Sequence, residues 1–145
     1  MSQEIRKTYV TNEVSNVAKI PELRTYLVKK QKELGKHKGV IMDGRDIGSV
    51  VFPNADFKFF IDASIDIRAK RRLLEKNISF LHENDEKCML QTLINDMRKR
   101  DRLDSNRKVS PLVPAKDAYV IDTSLINAQE LLSLVTSIIE GKNNC

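Results

Sequence analysis

Cysteine and histidine are scarce in this chain of 145 residues, which contains two of each. Cys88 and Cys145 are far apart and lie in no metal-ligand spacing, and neither His37 nor His82 belongs to a Cys/His or Ser/His arrangement. No pair of carboxylates has a spacing suited to acid–base catalysis. The sequence therefore offers no recognisable metal-ligand set and no nucleophile–base arrangement. So little cysteine is typical of a reducing compartment, and we expect a cytoplasmic location.

Long apolar runs are also absent, since none approaches the roughly 18 residues that a membrane span needs. The first seven residues contain no apolar core of a secretion signal. A hydrophobic content of 41% with 31% charged residues indicates one globular domain without a membrane partner. The net charge of +5 favours anionic partners, but does not distinguish nucleotides from nucleic acid.

Strand-like and helix-like segments alternate along the chain, which predicts an α/β fold with a parallel sheet. The segments predicted as strands are Gly39–Asp43, Phe57–Ile61 and Ala118–Ile121. The segments predicted as helices are Thr11–Lys19, Pro21–Leu34, one capped by Ser64, a long one beginning near Asp85, and one opened by a capping box at Asn127 and Glu130 and ending near Gly141.

An arginine–aspartate pair follows the first predicted strand. Arg45 and Asp46 stand between Gly44 and Gly48, directly after Gly39–Asp43. Ligands bind at the carboxyl ends of strands in open α/β sheets, so Arg45 is placed to bind an anion that Asp46 orients. The same residues would also suit a strand-to-loop turn with a local ion pair, and the motif alone does not decide between the two.

The charged tail of the long helix contains a second arrangement of this kind. Arg100, Asp104 and Arg107 are spaced by four and then three residues, so they share one helix face. Asp104 could hold both guanidinium groups in a direction suited to phosphate oxygens. A solvated, salt-bridged helix face is the more usual meaning of such a charge run.

A third group of arginines lies in the helix capped by Ser64. Arg68 shares a face with Arg71 and Arg72, and like charges stacked in this way destabilise a helix unless an anion is near. An exposed basic face, partly offset by acidic neighbours, is the alternative. Arginine–aspartate sites without a nucleophile or a metal cage suit phosphoryl transfer, which depends on positioning and on charge stabilisation.

Taken together, these motifs resemble the bacterial cytidylate kinase family, and the resemblance covers nearly the whole chain from Ile5 onward. The segments that carry it, in order, are Val14–Arg24, Ile41–Pro53, Lys58–Ser64 with the arginines that follow, Arg100–Arg107 and Pro111–Asp117. Each segment is weakly specific, whereas their combination is specific.

The resemblance implies roles for individual residues. Those matched to recognition of cytosine or its surroundings are Ser15, Arg24 and Asp46, and Asp104 is matched to the sugar hydroxyls. Those matched to the phosphates and to catalysis are Arg45, Arg100 and Arg107. Those matched to a lid that closes over the ATP phosphates are Arg68, Arg71 and Arg72.

The resemblance further implies a P-loop nucleoside monophosphate kinase-like parallel sheet with flanking helices and a helical lid. Residues 1–35 would end the monophosphate-binding region, 36–63 and 115–145 would form the α/β core, and 64–114 would form the lid. The implied reaction is ATP plus CMP or dCMP to ADP plus CDP or dCDP, with Mg²⁺. We expect no protein metal site, no nucleic-acid or membrane partner, and a monomer when complete.

One departure from the family pattern is large, because the sequence contains no G-x-x-x-x-G-K-[ST] motif. The P-loop that cradles the ATP phosphates and the hydroxyl that holds magnesium are therefore missing from this sequence. The P-loop strand is central in the family's sheet, so two predicted strands lose their shared neighbour. We expect a fragment that is inactive alone. The alternatives are a non-catalytic remnant that binds a pyrimidine monophosphate at most and, with less support, a nucleic-acid-binding module.

Overall fold

The computed structural model describes residues 4, 7–18, 20–37, 39–75, 82–106 and 111–143. Its elements are, in chain order, α1 (Thr8–Ala18), α2 (Pro21–Leu34), a π-helix (Ile47–Val51), β1 (Phe59–Asp62), α3 (Ile65–Glu75), α4 (Glu83–Ser105), β2 (Tyr119–Asp122) and α5 (Ala128–Asn143). None of the helices described is long and apolar enough to span a membrane. The chain divides into a first unit, Met1–Ala55 with Arg98–Lys116, and a second unit, Asp56–Met97 with Asp117–Cys145.

Local sequence signals set most of the helix ends where we predicted them. Pro21 is the first residue of α2, and Gly35 closes that helix by donating its backbone N–H to the carbonyl of Gln31. The Ser64 hydroxyl accepts the Ile67 N–H at 3.4 Å and so caps the start of α3. These bonds form between near neighbours in sequence, which explains why the residue pattern is sufficient to predict them.

The capping box at the start of α5 is also confirmed. Asn127 accepts the Glu130 N–H at 3.0 Å through its side-chain oxygen. Glu130 in turn accepts the Asn127 N–H at 2.7 Å. The helix continues to Asn143, two residues beyond the predicted end at Gly141. A single glycine weakens a helix by only about 1 kcal/mol, so Gly141 does not have to end it.

The sheet and a small apolar core lie in the second unit. The strands β1 and β2 pair in parallel, with Phe59 opposite Tyr119 and Asp62 opposite Asp122. Periodic apolar positions of α3 and α4 form the core, with Ala69, Leu73, Leu93 and Ile94 buried. Met89 and Met97 pack against this cluster, which confirms the face predicted for the long helix.

The strand predicted at Gly39–Asp43 is wrong, because this segment has no regular structure. Val40 and Ile41 are exposed, although apolar residues of a parallel sheet are normally buried. A short apolar segment becomes a strand only when a neighbouring strand takes up its backbone hydrogen bonds. Among the described residues no strand pairs with it, since the sheet consists of β1 and β2.

The first unit contains α1, α2, the π-helix and the last turns of α4. At the end of α2, Gly35 lies so close to the ring of Phe52 that a Cβ atom there would overlap it. Phe52 donates its backbone N–H to Ile47 at 2.7 Å and closes the π-helix. The close approach holds the end of α2 against the segment that follows Arg45 and Asp46.

Candidate functional site

A buried ion pair joins α2 to the segment before the π-helix. The Nη2 atom of Arg24 contacts the Oδ1 atom of Asp46, and both side chains are almost inaccessible to solvent. Resemblance to the family assigned these two residues to the cytosine side of a nucleotide site. The structure places them in contact, although α2 and the loop are separate elements.

Two polar atoms of this pair have no hydrogen-bond partner among the described residues. They are Nε of Arg24, a donor, and Oδ2 of Asp46, an acceptor, and both are buried. Buried polar atoms in proteins nearly always have partners, so each exception needs an explanation. Two side chains in contact thus carry one donor and one acceptor without a partner, which is the complement of a ligand edge that presents an acceptor and a donor.

The π-helix holds this loop in place. The carbonyl of Asp46 accepts backbone N–H groups from Val50 at 2.9 Å and from Val51 at 3.2 Å. Val51 is fully buried and anchors the turn. Wide turns of this kind are rare and occur often at functional sites. The sequence signalled the loop through its glycines, but gave no indication of this backbone geometry.

A second buried carboxylate, that of Asp104, lies close to two arginines. Its Oδ2 atom is 3.6 Å from Nε of Arg45 and 3.9 Å from Nε of Arg100. The Asp104 side chain is 1% exposed, whereas those of Arg45 and Arg100 are 47% and 46% exposed. The contact between Arg100 and Asp104 is the one predicted from helical spacing. Arg107 lies outside the described residues, and sequence spacing could not have shown that Arg45 contacts Asp104.

The three arginines predicted for the lid are in α3, in the second unit. Arg71 donates to the Thr123 hydroxyl at 3.1 Å and to the Ile126 carbonyl at 3.1 Å. Arg68 donates through Nε to the Ala63 carbonyl at 3.0 Å. Arg72 pairs with an acidic neighbour one turn later in the same helix. Their role at the ATP phosphates stays a prediction.

The loops that follow the two strands are linked, and sequence reasoning did not select their residues. Thr123 donates its N–H to the Asp62 carbonyl at 2.8 Å, and the Ser124 hydroxyl accepts the Ser64 N–H at 2.9 Å. Hydrogen bonds from the Ser124 hydroxyl and backbone N–H lower the pKa of Asp122. The repeated Ile-Asp-x-Ser pattern at 61–64 and 121–124 is a signal that could have identified these loops.

The family model for cytidylate kinase matches residues 1–141. This chain belongs to the cytidylate kinase family. It is 48% identical over 143 residues to the cytidylate kinase of Desulforamulus reducens, covering 98% of this chain and 62% of that protein. It is 46% identical over 141 residues to that of Clostridium tetani, covering 97% of this chain and 60% of the relative. The chain thus spans less than two thirds of the length of these curated relatives.

Membership of the cytidylate kinase family confirms the resemblance inferred from the ordered motifs and places the chain among proteins of the P-loop nucleoside monophosphate kinase fold. The individual residue roles stay predictions. Ser15 lies in α1, but its side chain is outside the described part of the structure.

The residues that the structure describes do not form a site that fits ATP phosphates or Mg²⁺, the cofactors that resemblance to the family implies. The sequence lacks a P-loop, and the described residues include no group of three or more His, Cys, Asp or Glu side chains suited to a metal. The groups that the structure does offer are an arginine–aspartate pair with unused polar atoms and two arginines beside one carboxylate.

Proposed function

We propose that this chain provides the nucleoside monophosphate-binding part of a cytidylate kinase-type phosphotransferase, which converts ATP and CMP or dCMP into ADP and CDP or dCDP. The observation that carries the proposal is a buried donor on Arg24 and a buried acceptor on Asp46, two side chains joined by an ion pair, that have no hydrogen-bond partner among the described residues. The lid assignment of residues 64–114 and the phosphate roles of the α3 arginines belong to the same proposal.

Cytosine has the chemistry that these two atoms require. Its N4 amino group is a donor that Asp46 Oδ2 can accept, and its N3 atom is an acceptor for Arg24 Nε. Uracil presents the opposite arrangement, with O4 as an acceptor and N3–H as a donor. Binding UMP would leave both protein groups without a partner. Because both atoms are buried, the base reaches them only when the surrounding side chains open, as in enzymes that close over a substrate.

Arg45 and Arg100 supply the chemistry for the phosphate end. Both guanidinium groups are about half exposed, and both lie near the carboxylate of Asp104. Arginine binds phosphate oxygens through paired N–H groups, which fixes the direction of the phosphate as well as neutralising its charge. Phosphoryl transfer depends chiefly on such positioning and charge stabilisation. Arg107 is proposed as a third member from its place in the family motif.

Calorimetric titration of the 145-residue chain with CMP and with UMP tests the base-recognition proposal. We expect CMP to bind at least about 30-fold more tightly, because two unsatisfied buried groups would each cost about 1–3 kcal/mol with UMP. Asp46→Asn should strongly reduce the ratio of CMP affinity to UMP affinity, since a neutral amide is a weaker acceptor than the carboxylate. Asp43→Asn, on an exposed side chain of the same loop, is the matched control. Equal affinities for CMP and UMP would contradict the proposal.

A coupled assay for ADP formation tests activity. We expect no turnover of CMP with ATP by this chain, because its sequence lacks the P-loop. Turnover at an ordinary kinase rate of about 1–100 per second would contradict this expectation. The second candidate, a non-catalytic remnant that binds a pyrimidine monophosphate, rests on the same absence. An in-frame P-loop encoded directly upstream of Met1 would favour the kinase over the remnant.

A further inference from the structure

We propose that one face of α2 binds single-stranded nucleic acid through the phosphate backbone. This surface, the lysine face, consists of Lys29 and Lys32 in α2 and Lys36 directly after it. The inference goes beyond the proposed function, because none of these lysines belongs to the candidate nucleotide site. It also revises the expectation, drawn from the sequence, that the chain has no nucleic-acid partner.

The three lysines lie on one side of the helix. Lys32 follows Lys29 by three residues and Lys36 follows Lys32 by four, which are the spacings of neighbours on a helix surface. All three are exposed, and they line one open groove of about 480 Å³. The other described residues that line this groove are Thr25, Val28 and Glu33. At 1.5 Å per residue, the lysine face is a row of ammonium groups about 10 Å long.

The positive charge of the lysine face is not neutralised within the part of the chain that the structure describes. No ion pair there involves Lys29, Lys32 or Lys36. The acidic residue of the groove, Glu33, instead pairs with Lys30 at 2.8 Å. The attraction between a cation and the carboxyl end of a helix is limited to the last turn, which accounts for Lys32 but not for Lys29. Because like charges at these spacings repel, the lysine face is complementary to an anion with several charges in a row.

An exposed tyrosine next to the lysine face indicates which polyanion fits. Tyr26 precedes Lys29 by three residues, so the two side chains are neighbours on α2, and Tyr26 is 56% exposed. The Nζ atom of Lys30 lies 5.9 Å from the centre of the Tyr26 ring. Surfaces that bind single strands combine cations for the phosphates with aromatic rings on which bases stack. An acidic peptide or an anionic membrane would meet the charges but has no base, so single-stranded nucleic acid is the partner that uses both features.

Fluorescence anisotropy of a labelled oligo(dT) of about 12 nucleotides, titrated with the 145-residue chain at several salt concentrations, tests the proposal. Three phosphate contacts predict a slope of about −2 for the logarithm of the association constant against the logarithm of the salt concentration. The triple variant Lys29→Gln, Lys32→Gln and Lys36→Gln should bind about tenfold more weakly or worse, with a slope close to zero.

Lys116→Gln changes an exposed lysine outside α2 and is the matched control, which should keep both the affinity and the slope. Two results would overturn the proposal. One is an unaltered chain that binds no oligonucleotide at a salt concentration of about 50 mM. The other is a triple variant that binds as tightly as the unaltered chain.

Tyrosine variants separate base stacking from charge in the same assay. We expect Tyr26→Ala to weaken binding by about fivefold or more without changing the salt slope, because stacking involves no counterion release. Tyr9→Ala removes an exposed tyrosine of α1 and should leave the affinity unchanged. If Tyr26→Ala has no larger effect than Tyr9→Ala, the lysine face does not stack a base and its assignment to single strands is wrong.

Competition distinguishes nucleic acid from other anions and from the candidate nucleotide site. Unlabelled oligo(dT) should displace the labelled strand, whereas tripolyphosphate and vesicles containing phosphatidylserine, at equal phosphate concentration, should displace little of it. Full displacement by either would show a general anion surface and would overturn the proposal. Displacement by CMP would place the strand at Arg45 and Arg100 and would overturn it equally. A chain that binds the oligonucleotide but no CMP would count against the proposed function alone.

Discussion

The ion pair between Arg24 and Asp46 allows a quantitative prediction about stability. Asp46→Ala removes the carboxylate and leaves the guanidinium of Arg24 in place. The side chains of Arg24 and Asp46 are 10% and 2% exposed, so water replaces little of the lost interaction. No other acidic side chain in the described part of the chain pairs with Arg24. The variant therefore contains a buried positive charge without a counterion.

Breaking a buried pair in this way destabilises proteins by about 3–5 kcal/mol. Folded domains are stable by only about 5–15 kcal/mol, so this loss is a large share of the total. For a chain of this length, each kcal/mol lowers the melting temperature by about 2–4 °C, which gives an expected decrease of about 6–20 °C. The double variant Arg24→Met with Asp46→Ala contains no unpaired charge, and we expect it to be more stable than Asp46→Ala alone.

Urea unfolding followed by circular dichroism measures Asp46→Ala, Arg24→Met and the double variant, which complete a double-mutant cycle with the unaltered chain. The control is Glu33→Ala, which removes the exposed Lys30–Glu33 pair on the same helix and should cost within about 0.5 kcal/mol. If Asp46→Ala costs no more than Glu33→Ala, or if the double variant is the least stable, then the pair is not buried in solution and our reasoning about the site is wrong.

Three further predictions concern local contacts. Thr123→Val removes a hydroxyl that accepts a hydrogen bond from Arg71 at 3.1 Å and donates one to a backbone carbonyl. We expect the free energy of unfolding, measured with urea, to fall by about 1–3 kcal/mol. An unchanged value would contradict the link between the two loops. Ser124→Ala should raise the pKa of Asp122 toward its ordinary value in an NMR titration. Because that pKa is lowered in the fold, the stabilisation from Asp122 is present above the unfolded pKa and is lost as pH falls through the folded one. Gly35→Ala should lower the free energy of unfolding by about 1–3 kcal/mol, because the added methyl group would overlap the ring of Phe52 beside the π-helix. Unchanged stability would show that this ring can move aside.

Local bonding explains why the sequence was sufficient for much of the fold. The starts of α2 and α5 follow from Pro21 and from the capping box of Asn127 and Glu130, each of which involves only near neighbours. The contact between Arg100 and Asp104 follows from a spacing of four residues on one helix. Helical periodicity likewise predicted the core face of α4. The ordered motifs indicated the cytidylate kinase family, which the family model confirms.

Features that depend on contacts between residues far apart in sequence were determined only by the tertiary structure. The segment Gly39–Asp43 has the composition of a strand, yet it forms none, because a strand needs a neighbour for its hydrogen bonds and composition cannot supply one. The second arginine beside Asp104 is Arg45, from a loop far away in sequence, and no helical spacing could indicate it. The unused donor and acceptor of Arg24 and Asp46 arise only when α2 and the loop pack together. The sequence therefore determined which residue types and local elements are available, and the packing of distant segments determined which charges meet and which buried polar atoms have no partner among the described residues.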